Sequence, residues 1–298
     1  MTRTCRVLST LDVTPVDHSR GCGYISGMGT APTKIVIRVI LITVGALVST
    51  GWLGLSAATG QGGIRIAAAL ALALLVAAGA YIAWVYLPDV DLPGRSPRRG
   101  RPSAGVPRVA LTFDDGPNGA DTSAILDALR EHGARATFFV VGDAVRRYPE
   151  LVRRMAAEGH VVGSHTDGHR KLAWLSAADV ASELDRSREA IVSAGAPEPR
   201  WFRAPHGFKS PFLPSALARR DLRLVAWSHG VWDTDRPGAD VIAARAIGCL
   251  RDGEILLLHD GTAGADRAQT AEALRSILTV ARERGVALVT VPEILNAA

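Results

Sequence analysis

The chain has 298 residues, 48% of them hydrophobic; that length suits one large domain or two ordinary ones, and the apolar content excludes a disordered chain. Its 34 basic residues against 29 acidic ones include only three lysines, Lys34, Lys171 and Lys209, so the net positive charge reflects an Arg-rich background and signals no nucleic-acid-binding face. Cys5, Cys22 and Cys249 form no C-x-x-C pair, which excludes a disulfide scaffold and a cysteine zinc ribbon and leaves His and carboxylate as ligands for any metal.

Residues 1–33 are polar and unpatterned, and are expected to be an unstructured leader, with Met28 an alternative start. Two charge-free apolar runs follow at 39–58 and 66–87. Each is long enough as a helix, at ~1.5 Å rise per residue, to cross ~30 Å of hydrocarbon. Tyr81, Trp84 and Tyr86 fall where an interfacial aromatic belt is expected. The region 34–88 therefore reads as a transmembrane hairpin, although Lys34 and Arg38 before the first run and Ser56-Ala57-Ala58 at its end also fit a cleaved signal peptide. Residues 89–105 are rich in Pro, Gly and Arg and read as a linker, with Arg95, Arg98, Arg99 and Arg101 solvated or resting on anionic headgroups.

Over 106–298 the pattern changes to short apolar runs alternating with amphipathic segments. Strands are expected at 108–113, 136–141, 160–164, 200–204, 222–228, 254–259 and 287–291, and helices over 122–133, 143–159, 179–195 and 267–285 with Gly133, Gly159, Gly195 and Gly285 as stops. Such alternation predicts a parallel sheet or reduced barrel with helices outside. In these folds functional side chains collect at the carboxyl ends of the strands. Asp114-Asp115, His165 with His169, Arg203, and His259 all follow apolar runs.

Singly, each of these signals has a plainer explanation: Asp-Asp-Gly-Pro as a turn, the two histidines as surface residues, Arg203 as a solvated cation. Their joint placement is specific. Two imidazoles and one carboxylate leave coordination positions open, as a catalytic divalent site requires. A second carboxylate beside them is placed to take a proton from an attacking water, and a histidine on another strand end can deliver one to a leaving group. Together these parts describe hydrolysis of an amide or ester.

The motifs TFDDGP (112–117), HTDGH (165–169), RAPHG (203–207) and LLLHD (256–260) resemble, in order, those of the NodB-homology polysaccharide deacetylases, carbohydrate esterase family 4. The resemblance covers roughly 106–298 and implies an α/β fold, a distorted (β/α) barrel of about seven parallel strands, here preceded by the hairpin. It implies Asp114 as general base, Asp115, His165 and His169 as ligands of a divalent metal, usually zinc with cobalt possible, and Arg203 as the partner of the base. It also implies that the N–H of His206, in a turn shaped by Pro205 and Gly207, stabilises an oxyanion, that His259 is the general acid and that Leu257 lines the acetyl pocket.

The family's Asp-Trp motif is altered to WSHGVWDTD (227–235). Asp233, with Asp235 as runner-up, is the candidate to orient His259; Trp232 precedes it instead of following it, and His206 stands where the family often has Tyr. The implied activity is removal of N-acetyl groups from N-acetylglucosamine-type residues of a cell-envelope glycan such as peptidoglycan or a chitin-like oligosaccharide. O-acetyl ester hydrolysis, action on lipid-linked precursors, and a silent glycan-binding membrane protein are the alternatives. Expected partners are the acetylated glycan and a lipid bilayer. The glycan places the catalytic domain outside the cell membrane, while the basic flanks of the hairpin favour the cytoplasm. No protein partner can be inferred.

Overall fold

The structure, a computed structural model, describes residues 61–86, 96–261 and 266–296. A 26-residue helix α1 (Gln61–Tyr86) precedes the barrel domain. Among the described residues no helix is long and apolar enough to cross a membrane. The expected hairpin is therefore unconfirmed: its first run, like the leader, lies outside those residues, and its second coincides largely with α1.

The domain runs β1 (Arg108–Asp114), α2 (Gly119–Glu131), β2 (Thr137–Val140), α3 (Gly142–Arg147), α4 (Pro149–Ala157), β3 (Val161–Ser164), α5 (Ala177–Ser193), β4 (Trp201–Phe202), α6 (Leu213–Ala218), β5 (Arg223–Leu224), β6 (His229–Gly230), α7 (Ala239–Gly248), β7 (Glu254–His259), α8 (Ala268–Glu283), β8 (Ala287–Val289) and α9 (Val291–Ile294). All strand pairs are parallel, in the order β5-β4-β3-β2-β1-β7-β6, and β8 pairs with the amino-terminal half of β1. The sheet thus has a path of seven strands, as expected, with β8 as an eighth beside β1. The one the sequence pattern missed, β6, has two residues, too few to show any periodicity.

Strand periodicity sorts the side chains onto two faces. On one, Val109, Leu111 and Phe113 pack with Leu126, Leu129, Leu274 and Leu278 of the outer helices. On the other, Ala110 packs with Phe139, Trp201, Val225 and Ile255. Both faces are covered, so β1 reads as a continuous apolar run.

The helix expected over 143–159 is two, α3 and α4. Tyr148 between them has φ −135° and ψ 56°, because Pro149 excludes its predecessor from the helical region and is itself well suited to start α4. Gly133, Gly159, Gly195 and Gly285 all take positive φ at the predicted helix stops. Between the outer strands β5 and β6 runs a strap formed by residues 96–103, within the expected linker. Pro97 O accepts from Ala226 N at 3.0 Å, Arg98 Nε donates to Trp227 O at 3.2 Å, and Gly100 N donates to Gly253 O at 2.8 Å. Arg99 pairs with the buried Glu254 at 3.0 Å, and Ser103 N donates to Asp252 at 2.6 Å.

Candidate active site

The interior face that carries Ala110 and Ile255 continues, two residues at a time, to the carboxyl ends of the strands. Thr112 and Asp114 follow Ala110, Leu257 and His259 follow Ile255, His165 follows Val161 and Gly163, and Arg203 follows Trp201. The register sets Asp114 beside His259 on adjacent strands. A period of two therefore brings these groups together at one end of the barrel.

Asp115 lies just past β1 with φ 74°, which turns its carboxylate toward the β3 loop. Its Oδ1 is 3.4 Å from His165 Nε2 and 3.0 Å from His169 Nε2, and one ligand atom from each of the three residues lies within 4.8 Å of the others. His165 Nδ1 is 2.8 Å from the backbone oxygen of Arg203. A carbonyl only accepts, so Nδ1 carries the proton and Nε2 keeps its lone pair for a ligand. Burial pushes the Asp115 carboxyl up, but the imidazoles of His165 and His169 beside it outweigh this and hold it well below the usual range. An ionised carboxylate and two imidazoles converging on open space fit a borderline-soft divalent cation.

Asp114 is the neighbouring carboxylate, 3% exposed. Arg203 NH1 donates to its Oδ1 at 2.8 Å and to Thr112 Oγ1 at 2.7 Å, while NH2 donates to Ala226 O at 3.0 Å. The guanidinium lies over the Phe139 ring at 4.2 Å. Burial lowers the Arg203 pKa from its ordinary value, and Asp114 opposes that shift. The other Asp114 oxygen, Oδ2, is 3.8 Å from His165 Nε2 and faces the Asp115–His165–His169 cluster.

On β7, His259 Nδ1 is 2.8 Å from Asp233 Oδ1, and Asp233 Oδ2 accepts from the His259 backbone N at 2.8 Å and from Thr270 Oγ1 at 3.0 Å. Asp233 is thus the carboxylate against His259. Burial opposes protonation of His259, but the Asp233 bond and charge outweigh it and raise the imidazole pKa; burial likewise raises Asp233, and His259 more than reverses it. Leu257, buried on the same strand face, adjoins this pair.

Pro205, His206 and Gly207 form a 3-10 turn in which Gly207 N donates to Ala204 O at 2.9 Å and His206 takes φ 57°. The His206 ring packs edge-on to that of His169, centroids 4.7 Å apart. Burial first, then the electrostatic influence of His169 and Lys171, pushes its pKa down to about 4. Trp232 is half-buried with φ 57° immediately before Asp233. Asp115, Thr166, His169, His206 and Trp232 are five of the eight non-glycine residues with positive φ among the described residues, so left-handed backbone is concentrated at these motifs.

Two residues of this end went without a role in the sequence reading. Asp260 is fully buried, its Oδ2 accepts from Thr122 Oγ1 at 2.8 Å, and burial pushes its pKa up to about 7. Its position directly after His259 was the available signal. Asp167, between His165 and His169, is buried as well.

Residues 102–225 match the family model described as polysaccharide deacetylase. The chain is 39% identical over 202 residues to a chitooligosaccharide deacetylase of Bradyrhizobium sp. (strain ANU 289), covering 64% of this chain and 92% of that protein. It is 35% identical over 193 residues to a peptidoglycan-N-acetylglucosamine deacetylase of Bacillus cereus, covering 63% and 88%. Among solved structures, the Bc1960 peptidoglycan N-acetylglucosamine deacetylase superposes with a TM-score of 0.64 at 28% identity, covering 68% of this chain and 94% of that one. The chain belongs to the NodB-homology polysaccharide deacetylase family, carbohydrate esterase family 4.

Proposed function

We propose that the protein is a membrane-anchored, metal-dependent hydrolase that removes N-acetyl groups from N-acetylglucosamine-type residues of a cell-envelope glycan. The observation that carries this reading is the convergence of Asp115, His165 and His169 with two preformed pairs, Asp114–Arg203 and Asp233–His259, at one end of the barrel. Asp115, His165 and His169 would hold the ion, for which zinc suits the donor set best. Such an ion supplies polarisation of the acetyl carbonyl and acidification of the attacking water.

Asp114 takes a proton from that water at Oδ2, since Arg203 occupies Oδ1 and fixes the carboxylate plane. The N–H of His206 donates to the oxygen that gains charge as water adds to the carbonyl carbon. When the C–N bond breaks, His259 gives the sugar nitrogen a proton from Nε2, because Nδ1 is committed to Asp233. Acetate and a free amine result. Leu257 packs against the acetyl methyl, and Trp232 borders the sugar. The raised pKa of His259 supports an amide rather than an ester substrate, because an amine must be protonated to leave whereas an alkoxide depends less on the acid.

Exposed Ile66, Leu70, Leu72, Leu74 and Val76 along α1 support an anchoring role for this helix, with the run at 39–58 as its hairpin partner. The glycan substrate argues for an extracytoplasmic catalytic domain. The decisive experiment is acetate release by the full chain from N-acetylated chitooligosaccharides and from peptidoglycan, with zinc or cobalt, beside Asp114→Asn. Release is expected to depend on metal, and Asp114→Asn to lower kcat by roughly 10²–10⁴-fold while zinc binding persists. A folded, zinc-loaded chain that frees no acetate from either substrate overturns the reading.

A further inference from the structure

The two imidazoles of the metal triad lie on one short loop, and that loop is strained: Thr166 has φ 68° and His169 φ 53°. Such a conformation persists only when its surroundings hold it. The hold comes from the middle of the loop. Asp167 is 2% exposed. Its Oδ1 accepts from Arg146 NH2 on α3 at 2.6 Å, and its Oδ2 lies 2.7 Å from Arg186 NH2 on α5.

The loop backbone is fastened to the same two helices. Asp167 N and Gly168 N both donate to Glu183 Oε2 of α5, at 3.0 and 2.8 Å. Gly142 N and Asp143 N, which open α3, donate to Thr166 O and Asp167 O at 3.0 and 2.9 Å. Gly142 makes the approach possible, because a Cβ there would stand 2.3 Å from Asp167 Oδ1. None of these partners is a metal ligand. The loop is thus bound on its carboxylate, its N–H groups and its carbonyls before any ion arrives.

We infer that Asp167, pinned between Arg146 and Arg186, is a positioning residue that presets the His165–His169 loop for the metal. This rests on the reading of Asp115, His165 and His169 as the metal site. A loop held this way need not be ordered by the ion, so little of the binding free energy is spent on ordering. Outer partners of this kind typically change metal affinity by ~10- to 100-fold when removed.

The test is zinc titration of the metal-stripped full chain, wild type beside Asp167→Asn, Arg186→Gln and a control also on α5, Asp185→Asn, which breaks the pair of the exposed Asp185 with Arg220. Asp167→Asn is expected to raise the zinc Kd by about 10- to 100-fold, and Arg186→Gln, whose side chain is largely exposed, to raise it less. Asp185→Asn leaves it unchanged. Saturating zinc restores most of the kcat of Asp167→Asn, and hydrogen exchange at the amides of residues 166–169 accelerates in its metal-free form. Should Asp167→Asn fail to fold, Arg186→Gln and Arg146→Gln decide in its place. Zinc affinity equal to wild type in folded variants overturns the inference and leaves the metal site standing, whereas a wild-type chain that binds no zinc overturns the metal site and the inference with it.

Discussion

Asp233 touches His259 through both carboxylate oxygens, one on the ring and one on the backbone N–H, so it fixes the tautomer and the ring orientation together. It also sets the protonation range. With its pKa raised, His259 stays an acid to higher pH than a free imidazole; the stability this pairing contributes is lost as pH rises through the raised His259 value and lost again as pH falls through the lowered Asp233 value. Asp233→Asn removes the charge, so the alkaline limb of the kcat profile is expected to move to lower pH and kcat to fall roughly tenfold or more. A pH profile with an unmoved alkaline limb would detach Asp233 from the proton transfer. At this scale the sequence was informative where a functional side chain closes a long apolar strand: Asp114 and His259 end β1 and β7. It was silent on Asp167, whose partners Arg146 and Arg186 come from separate helices and share no spacing with it.

Among the elements, the long strands β1 and β7 and the helices with glycine stops were legible because each repeats its period several times. The two-residue strands β4, β5 and β6 carry no period; β4 and β5 were located within longer apolar runs and β6 not at all. The break at Tyr148–Pro149 falls inside one continuous amphipathic pattern, and its only mark in the sequence is the proline. Strand β3 shows how an element serves the site. A Cβ on Gly163 would lie 2.7 Å from the Phe139 ring and 3.0 Å from Trp201 O, and Phe139 is the ring beneath Arg203. Gly163→Ala is expected to cost about 1–3 kcal/mol of stability by overpacking and, by displacing Phe139, to lower kcat. Thermal melts and turnover measured together check both effects.

For the molecule as a whole, the strap at 96–103 changes where the catalytic domain begins. Composition alone marked 89–105 as linker, because Pro, Gly and Arg bury little, yet its second half forms backbone bonds between β5 and β6. Without it Glu254, 2% exposed, loses Arg99, and Ala226 N and Gly253 O lose their acceptor and donor; each buried group left unsatisfied costs ~1–3 kcal/mol. A chain starting at residue 88 is expected to leave the membrane fraction and to lose the bond from Lys209 N to the buried Val85 O, so its Tm falls little, whereas one starting at 104 is expected to leave it and melt clearly lower. Sedimentation with membranes and thermal melting of the two truncations test the anchor and the strap separately.

The left-handed backbone at Asp115, Thr166, His169, His206 and Trp232 has a consequence for how this protein would change under selection. Non-glycine residues in such conformations cost of order 1–3 kcal/mol each, so the domain holds its chemistry against a standing pressure to relax. A population selected only for heat resistance, with turnover ignored, would gain most readily by glycine or asparagine at these positions, and the first lineages to become more robust would be the first to fall silent.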